Sequence, residues 1–167
     1  MPPSMRPMTE DEAEAKYGTK DVLSNTSYNK GALAIDCQHE KLVLDLLEIC
    51  IFVKFIPEIF TRETLFSLYS LATGIEVDMN SMITAAERVF NVERAFGIRM
   101  GMKRKDDVLV GKWATGDVPN GPHKGENIDP EKWDEMLDEY YMLRGWDKDG
   151  IPTPEKLKDL GLEDLQL

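Results

Sequence analysis

The sequence predicts a mainly helical protein, and three observations lead to that fold class. Apolar residues recur at the three- and four-residue spacing of a helix face, for example Met82, Ala85, Ala86 and Val89. Capping residues and glycines bracket these periodic stretches. The sequence contains no convincing pair of strand-like segments. At 167 residues, the chain is long enough for one core and marginal for two domains.

The predicted helices follow one another between recognisable start and stop residues. They occupy about residues 10–17, 32–56, 62–73, 82–96, 130–144 and 154–160. Their expected caps are Thr9, Thr61, Asn80 or Ser81, Asp129 and Thr153, and their expected ends are Gly18, Pro57, Gly74, Gly145 and Gly161. The helix at 62–73 is expected to have an apolar face of Leu65, Leu68, Tyr69 and Ala72. We therefore expect a lead-in of extended chain, loop and one short helix over residues 1–31, and a helical domain over residues 32–167.

Charge and composition argue against several classes of partner. The formal net charge is −11, which disfavours nucleic acid and anionic membranes because phosphate binding needs clustered Lys and Arg. No stretch has the uninterrupted apolar length of a membrane span, and the first residues lack the apolar core of a signal peptide. The two cysteines, Cys37 and Cys50, do not suggest a disulfide framework. A cytoplasmic protein is expected.

The apolar segment from Leu42 to Phe55 is the most informative part of the chain because it contains Asp45, Glu48 and Cys50. Such a segment is expected to be buried. A carboxylate that is buried without a partner costs several kcal/mol on the order-of-magnitude scale of ion burial. The sequence therefore predicts that something satisfies these two acids.

The spacing of Asp45 and Cys50 leaves several interpretations open. On one continuous helix, five residues rotate the second side chain about 140° from the first, so the two cannot bind one small ion together. They either contact two neighbouring cofactors, or the helix breaks between them. The plainest interpretation is a buried structural thiol at Cys50 and an internal ion pair at Asp45.

Other candidate sites are weaker. Cys37 and His39 are two residues apart, but a structural zinc site needs about four ligands. His123 lies in a glycine-rich loop, where no metal role is expected. The segment Asp147–Gly150 is similar to the start of a calcium loop, yet Lys158 stands where the loop needs its last acid, so a capped turn is predicted. No nucleotide-binding pattern and no catalytic triad is present in the sequence, and no catalytic residue is assigned.

Two long segments near the C-terminal end carry a resemblance to a known family. RAFGIRMGMKRKDDVL (94–109) and EKWDEMLDEYYMLRGWDKDGIPTPEKLKDLGL (131–162) resemble the C-terminal part of the tungsten-containing aldehyde ferredoxin oxidoreductases. The resemblance runs from about Leu42 to Leu162. It implies the irregular helical fold of that C-terminal part. The branch that contains class II benzoyl-CoA reductase catalytic subunits belongs to the same family.

The same resemblance implies cofactor contacts at the apolar segment. The family has a D-x-x-G-L-C motif in which the Asp binds a pterin and the Cys is the last ligand of a 4Fe–4S cluster. Here the motif runs from Asp45 to Cys50, with Glu48 in place of Gly and Ile49 in place of Leu. The implied cofactor contacts are Asp45, Ile49 and Cys50, and the implied metal ligand is Cys50. The extra acid at Glu48 puts the local turn in question.

The function that the resemblance implies is that of one part of a tungstopterin, iron–sulfur oxidoreductase. The family's other three cluster cysteines lie in a C-x-x-C-x-x-x-C motif, which this chain lacks. The expected partners are therefore the upstream part of the same enzyme and a ferredoxin or electron-transfer subunit, and activity of this chain alone is not expected. The alternative is a cofactor-free helical module that docks a protein partner through the stripe of Trp133, Tyr140 and Tyr141. The substrate and the choice between tungsten and molybdenum stay open.

Overall fold

The structure is a computed structural model that describes residues 8–24, 27–52, 61–112 and 116–165. Six α-helices lie in these ranges: α1 (Glu10–Tyr17), α2 (Gly31–Leu46), α3 (Arg62–Thr73), α4 (Met79–Arg99), α5 (Pro130–Arg144) and α6 (Pro154–Asp159). Short 3-10 turns cover Lys20–Leu23 and Arg104–Asp106. The described residues contain no strand, only an isolated bridge between Trp146 and Pro152. The mainly helical fold class is confirmed.

Most predicted helix ends are confirmed by their capping hydrogen bonds. Thr9 forms a reciprocal capping box with Glu12 at the start of α1, and Gly18 ends that helix in the left-handed conformation. The predicted caps of α3, α5 and α6 each accept a backbone N–H of the first turn, and they are Thr61, Asp129 and Thr153. Local side-chain chemistry therefore decides these boundaries, which is why the sequence alone reveals them.

The predicted start of α4 is wrong by one turn. The Asp78 carboxylate accepts the backbone N–H of Ser81 at 2.8 Å, and the Ser81 hydroxyl accepts the backbone N–H of Asp78 at 2.9 Å. This reciprocal pair caps the helix at Asp78, and the helix begins at Met79. Asn80 and Ser81, the predicted caps, therefore lie inside its first turn.

The chain divides into two compact units. The first comprises Met1–Ser27 with Ala32–Val92, and the second comprises Tyr28–Gly31 with Glu93–Leu167. The boundary falls within α4. The predicted division into residues 1–31 and 32–167 stays a prediction.

The core of the first unit joins α2, α3 and α4. Its buried members are Val43, Phe66, Met82 and Ala86, with Leu42, Leu47, Val77 and Met79 packed against them. On α3 the buried residues are Leu65 and Phe66, whereas Leu68 is 53% exposed. The predicted apolar face of α3 is therefore wrong at Leu68 and at Ala72, which are exposed, because the helix turns its Leu65–Phe66 edge inward.

The core of the second unit is aromatic. Tyr141 and Trp146 are buried beside Leu157 and Leu160. The Tyr140 and Trp146 rings meet edge to face, with centroids 5.9 Å apart. None of the helices in the described residues combines the length and apolarity needed to cross a membrane.

Candidate cofactor-contact site

The C-terminal end of α2 is closed by a left-handed residue at Glu48, whose φ is 55°. The Glu48 N–H donates to the Asp45 carbonyl at 2.9 Å, and the Ile49 N–H donates to the Leu44 carbonyl at 2.9 Å. This pair of bonds is the Schellman arrangement, in which the left-handed position is usually glycine. The structure thus keeps at Glu48 the turn that a glycine would form with less strain.

This closure corrects the predicted helix at 32–56. The α-helix ends at Leu46 because the carbonyls of its last turn accept hydrogen bonds from the reversing chain. Asp45 therefore lies on the helix and Cys50 lies beyond it, so the 140° separation of a continuous helix does not apply. The remainder of the predicted helix, from residue 53 onward, lies outside the described residues.

Asp45 lies at the surface and not in the core. Its carboxylate pairs with the Lys41 ammonium one turn earlier, and both side chains are 49% exposed. An exposed pair at this spacing contributes about 0.3–0.5 kcal/mol. A ligand that offers two donors to the carboxylate displaces such a pair at small cost. The plainest interpretation, an internal ion pair at Asp45, is wrong.

Cys50 is also exposed, as is Cys37. Among the residues of the apolar segment that the structure describes, Val43 and Leu44 are buried, whereas Leu46, Ile51 and Phe52 are exposed. The predicted burial is therefore wrong at Leu46, Ile51 and Phe52, because the turn at Glu48 carries this part of the chain away from the core of α2, α3 and α4. The thiol at Cys50 is accessible to a metal, which a structural thiol sealed in a core is not.

The donor set at this end of α2 fits a shared site and does not form a complete one. A 4Fe–4S cluster takes four thiolates, and the chain contains two cysteines. Among the described residues, no group of three or more His, Cys, Asp or Glu side chains is arranged to hold a metal ion. The site has one exposed thiol and one exposed carboxylate, which lie close in sequence on either side of a tight turn. These groups fit a site to which other parts of a protein contribute the remaining ligands.

The weaker candidates are not brought together as a metal site. Cys37 is exposed, whereas His39 contacts the carboxylate of Glu87 on α4 through its Nε2 atom. Asn91 is fully buried and donates to the Glu87 carbonyl at 2.9 Å. The side chain of Asp147 accepts the N–H groups of Asp149 and Ile151 at 2.9 Å, which confirms the predicted capped turn.

The second unit contains a polar network that sequence reasoning missed. Arg94 on α4 donates to both carboxylate oxygens of Asp107, at 2.9 and 2.6 Å, and to the Gly150 carbonyl at 2.7 Å. The Tyr141 hydroxyl also donates to Asp107, and the Arg94 guanidinium lies 4.8 Å from the Trp146 ring centroid. The three polar side chains satisfy one another inside the unit.

Protonation of this network follows from its contacts. Burial acts to raise the pKa of Asp107, but hydrogen bonds from Arg94 and Tyr141 outweigh it and hold that pKa below its usual value. Burial, together with the hydrogen bond to Asp107, raises the pKa of Tyr141. A Cβ on Gly150 would lie 2.3 Å from the Arg94 Nη2 atom, so the network also requires glycine at that position.

Ion pairs and hydrogen bonds of this kind explain residues of the segments 94–109 and 131–162 that helix capping does not explain. Arg104 binds the carboxylates of Asp134 and Asp138 at 2.6 Å each and the Lys148 carbonyl at 2.8 Å. In the sequence, the basic run at 103–105 is followed at once by the acids Asp106 and Asp107, which leaves it little net field. In the structure, Arg104 instead reaches 30 and 34 residues along the chain. The sequence alone does not predict these pairs, because they depend on how the helices pack.

The aromatic stripe of α5 is used in packing at its centre. Tyr141 is 2% exposed and held by Asp107, and Trp133 and Tyr140 are half-buried. This burial favours core packing over docking for the stripe.

Comparisons with known proteins agree with the fold and with the downstream segments. The family model described as aldehyde ferredoxin oxidoreductase, domains 2 and 3, matches residues 4–162. The tungsten-containing aldehyde ferredoxin oxidoreductase of Pyrococcus horikoshii is 33% identical over 150 residues, which cover 89% of this chain and 24% of that protein. The protein of the same name from Pyrococcus furiosus is 34% identical over 99 residues, covering 59% of this chain and 16% of that protein.

A solved structure shares the fold. The active-site complex BamBC of benzoyl coenzyme A reductase, bound to 1,5-dienoyl-CoA, matches with a TM-score of 0.62 and 24% identity over 96% of this chain and 27% of that chain. The chain belongs to the aldehyde ferredoxin oxidoreductase family, in the region of its domains 2 and 3. It spans about a quarter of the length of the curated relatives named tungsten-containing aldehyde ferredoxin oxidoreductase from Pyrococcus horikoshii and Pyrococcus abyssi.

Proposed function

We propose that this chain is the part of a tungstopterin oxidoreductase that contacts a pterin through Asp45 and Ile49 and supplies Cys50 as the fourth thiolate of a 4Fe–4S cluster. The observation that supports this most is the turn at Glu48, which leaves a carboxylate on one side and a thiol on the other, both exposed. The relatives are named as tungsten-containing enzymes, which supports the metal.

The chemistry of each side chain supports its proposed partner. A pterin ring edge offers a fork of N–H donors, and the Asp45 carboxylate accepts two such bonds in place of its weak pair with Lys41. The Ile49 N–H is already bonded to the Leu44 carbonyl, so Ile49 contacts the pterin through its side chain or its own carbonyl. Cys50 has the thiol that iron binds as thiolate.

The whole enzyme's reaction is part of this proposal. When bound, a tungsten pterin supplies low-potential two-electron chemistry, and an iron–sulfur cluster passes electrons singly to a ferredoxin or an electron-transfer subunit. The remaining cluster ligands and the residues around the tungsten come from the upstream part of the enzyme, in the cytoplasm. The substrate is either an aldehyde, as the relatives' names indicate, or an acyl-CoA, as the solved neighbour's ligand indicates.

The test is metal content after expression together with the upstream part. We expect iron and tungsten to co-purify with the wild-type assembly. Cys50→Ser should remove the cluster or convert it to a form with fewer irons, seen as lost iron and an altered electron paramagnetic resonance signal. The matched control is Cys37→Ser, which removes the chain's other exposed thiol and should leave iron unchanged.

The opposite result has a clear meaning. If Cys50→Ser retains full iron content and the wild-type spectrum, Cys50 is not a cluster ligand. The cofactor-free docking module then becomes the better explanation of this chain.

A further inference from the structure

Glu48 has a backbone conformation that charged residues rarely adopt. Its φ is 55°, and it is the one non-glycine residue with a positive φ among the residues that the structure describes. The other positive-φ positions in that part of the chain are all glycines, such as Gly18, Gly74 and Gly145, which close helices α1, α3 and α5. Backbone conformations of this kind cluster at functional sites, where the surrounding structure holds them in place.

No structural use of the Glu48 side chain is found locally. The residue is exposed, and within the described ranges its carboxylate makes no hydrogen bond or ion pair. The contrast with Asp45, which is paired to Lys41, is direct. Within the described residues, the acid therefore makes no side-chain bond that would offset the strain of the turn, and its presence calls for another reason.

The position of Glu48 relative to the proposed ligand provides that reason. Glu48 is two residues before Cys50, so their Cα atoms are at most about 7 Å apart. A negative charge at this distance from a cluster opposes the addition of an electron, and cluster potentials respond to local charge and to solvent exposure. The effect grows when the exposed surface is covered, because water then screens the charge less.

We propose that the negative charge of the Glu48 carboxylate lowers the reduction potential of the cluster that Cys50 would ligate. This inference depends on the proposed function of Cys50. It assigns to Glu48 an electrostatic role that a glycine at the same turn does not provide. The strained backbone is retained at this position because the function depends on the charge of the carboxylate and not on the shape of the turn.

The experiment is a redox titration of the cluster in the assembly with the upstream part, followed by electron paramagnetic resonance. Glu48→Gln keeps the side-chain length and the backbone strain but removes the charge, and should move the midpoint potential in the positive direction. Glu48→Asp keeps the charge and should stay near the wild-type potential. Glu14→Gln on α1 removes an exposed acid elsewhere and should leave the potential unchanged.

A backbone variant separates charge from conformation. Glu48→Asn is uncharged and tolerates the left-handed conformation, so it should show the same positive shift as Glu48→Gln. If Glu48→Asn shifts the potential and Glu48→Gln does not, the turn geometry is responsible and the electrostatic role is overturned. An unchanged potential in both variants overturns it as well.

The failure of this inference is distinguishable from that of the proposed function. If Cys50→Ser retains the cluster, both proposals fall together. If Cys50→Ser removes the cluster but Glu48→Gln keeps the wild-type potential, only the role of Glu48 is wrong.

Discussion

The ion pair between Arg94 and Asp107 lies inside the second unit, where hydrogen bonds offset the hydration that both charges lose. Their side chains are 7% and 17% exposed, so both charges lose most of their hydration. Two parallel N–H···O bonds, the Tyr141 hydroxyl and the Gly150 carbonyl replace it. A buried pair with this many partners is costly to break, because the group that is left behind stays buried and unpaired.

The first prediction concerns Asp107→Asn. The change removes the charge that Arg94 requires, and we expect it to lower the free energy of unfolding by about 3 kcal/mol. The adjacent change Asp106→Asn is the control, since Asp106 is exposed and its carboxylate accepts the Lys103 N–H; the change should cost under about 1 kcal/mol. Urea unfolding followed by circular dichroism measures both. Equal losses in the two variants would contradict a special role for the buried pair.

The second prediction is a pH dependence from the same carboxylate. Hydrogen bonds hold the pKa of Asp107 below its usual value in spite of burial. A lowered folded-state pKa means that this stabilisation is present above the ordinary Asp pKa of about 3.9 and is lost as the pH falls through the lowered value. Asp107→Asn should therefore show a shallower decrease in unfolding free energy below about pH 4 than the wild-type chain.

That difference is measured by urea titrations at a series of acidic pH values. The slope in Asp107→Asn should be reduced and not abolished, because hydrogen bonds from Lys16 and Tyr17 also lower the pKa of Asp36, again against the effect of burial. Parallel curves for the variant and the wild type would show that Asp107 does not contribute to acid unfolding.

At the scale of the helices, end chemistry decides where each element begins. Helix α4 starts at Met79 because Asp78 and Ser81 cap each other's backbone groups. Several side chains in this stretch are capable of capping, and the helix uses the earliest of them. The carboxylate of Asp78 also carries the negative charge that the N-terminal end of a helix dipole favours.

The third prediction distinguishes the observed cap from the predicted one. Asp78→Ala should lower the unfolding free energy by about 1 kcal/mol, because it removes the bond to the Ser81 N–H. Asn80→Ala, an exposed change within the first turn, should stay within about 0.5 kcal/mol of the wild type. Thermal or urea unfolding decides between them, and a larger loss in Asn80→Ala would mean that Asn80, one of the two predicted caps, is the right one.

At the C-terminal end of helix α2, local helix propensity does not decide where the helix ends. The apolar segment after Leu42 contains good helix formers and no glycine, which favours a longer helix. The chain nevertheless reverses at Glu48 through bonds to Leu44 and Asp45. Val43 is buried in the core with α3 and α4, and Leu47 packs against that core, whereas Ile51 and Phe52 beyond the turn are exposed.

At the scale of the whole molecule, the chain corresponds to one region of its relatives and not to their full length. It matches domains 2 and 3 of the family and spans about a quarter of its relatives' length. Exposed apolar side chains at the end of α2, namely Leu46, Ile51 and Phe52, lie beside the proposed cofactor contacts. Their exposure is consistent with a surface that other parts of such an enzyme would cover.

The fourth prediction is made for the chain on its own. Anaerobic reconstitution with iron and sulfide should give no stable 4Fe–4S cluster, because one chain has two cysteines and a cluster needs four thiolates. Iron analysis after gel filtration measures the outcome. A stable cluster shared by two copies of the chain would contradict the proposal that Cys50 completes a site supplied by the upstream part.

The six α-helices given above for the described ranges, most of their ends and the mainly helical class were determined by the sequence itself, because capping bonds and glycine closures join residues only a few positions apart. The resemblance to the family was likewise readable from the segments after Arg94. The tertiary structure decided the rest, because it depends on contacts between distant positions. Examples are the pairing of Arg94 with Asp107 and Gly150, and the contacts of Arg104 with α5. It also decided that Asp45 and Cys50 are exposed, since the packing of α2 against α3 and α4 sets how much of the apolar segment a core can take.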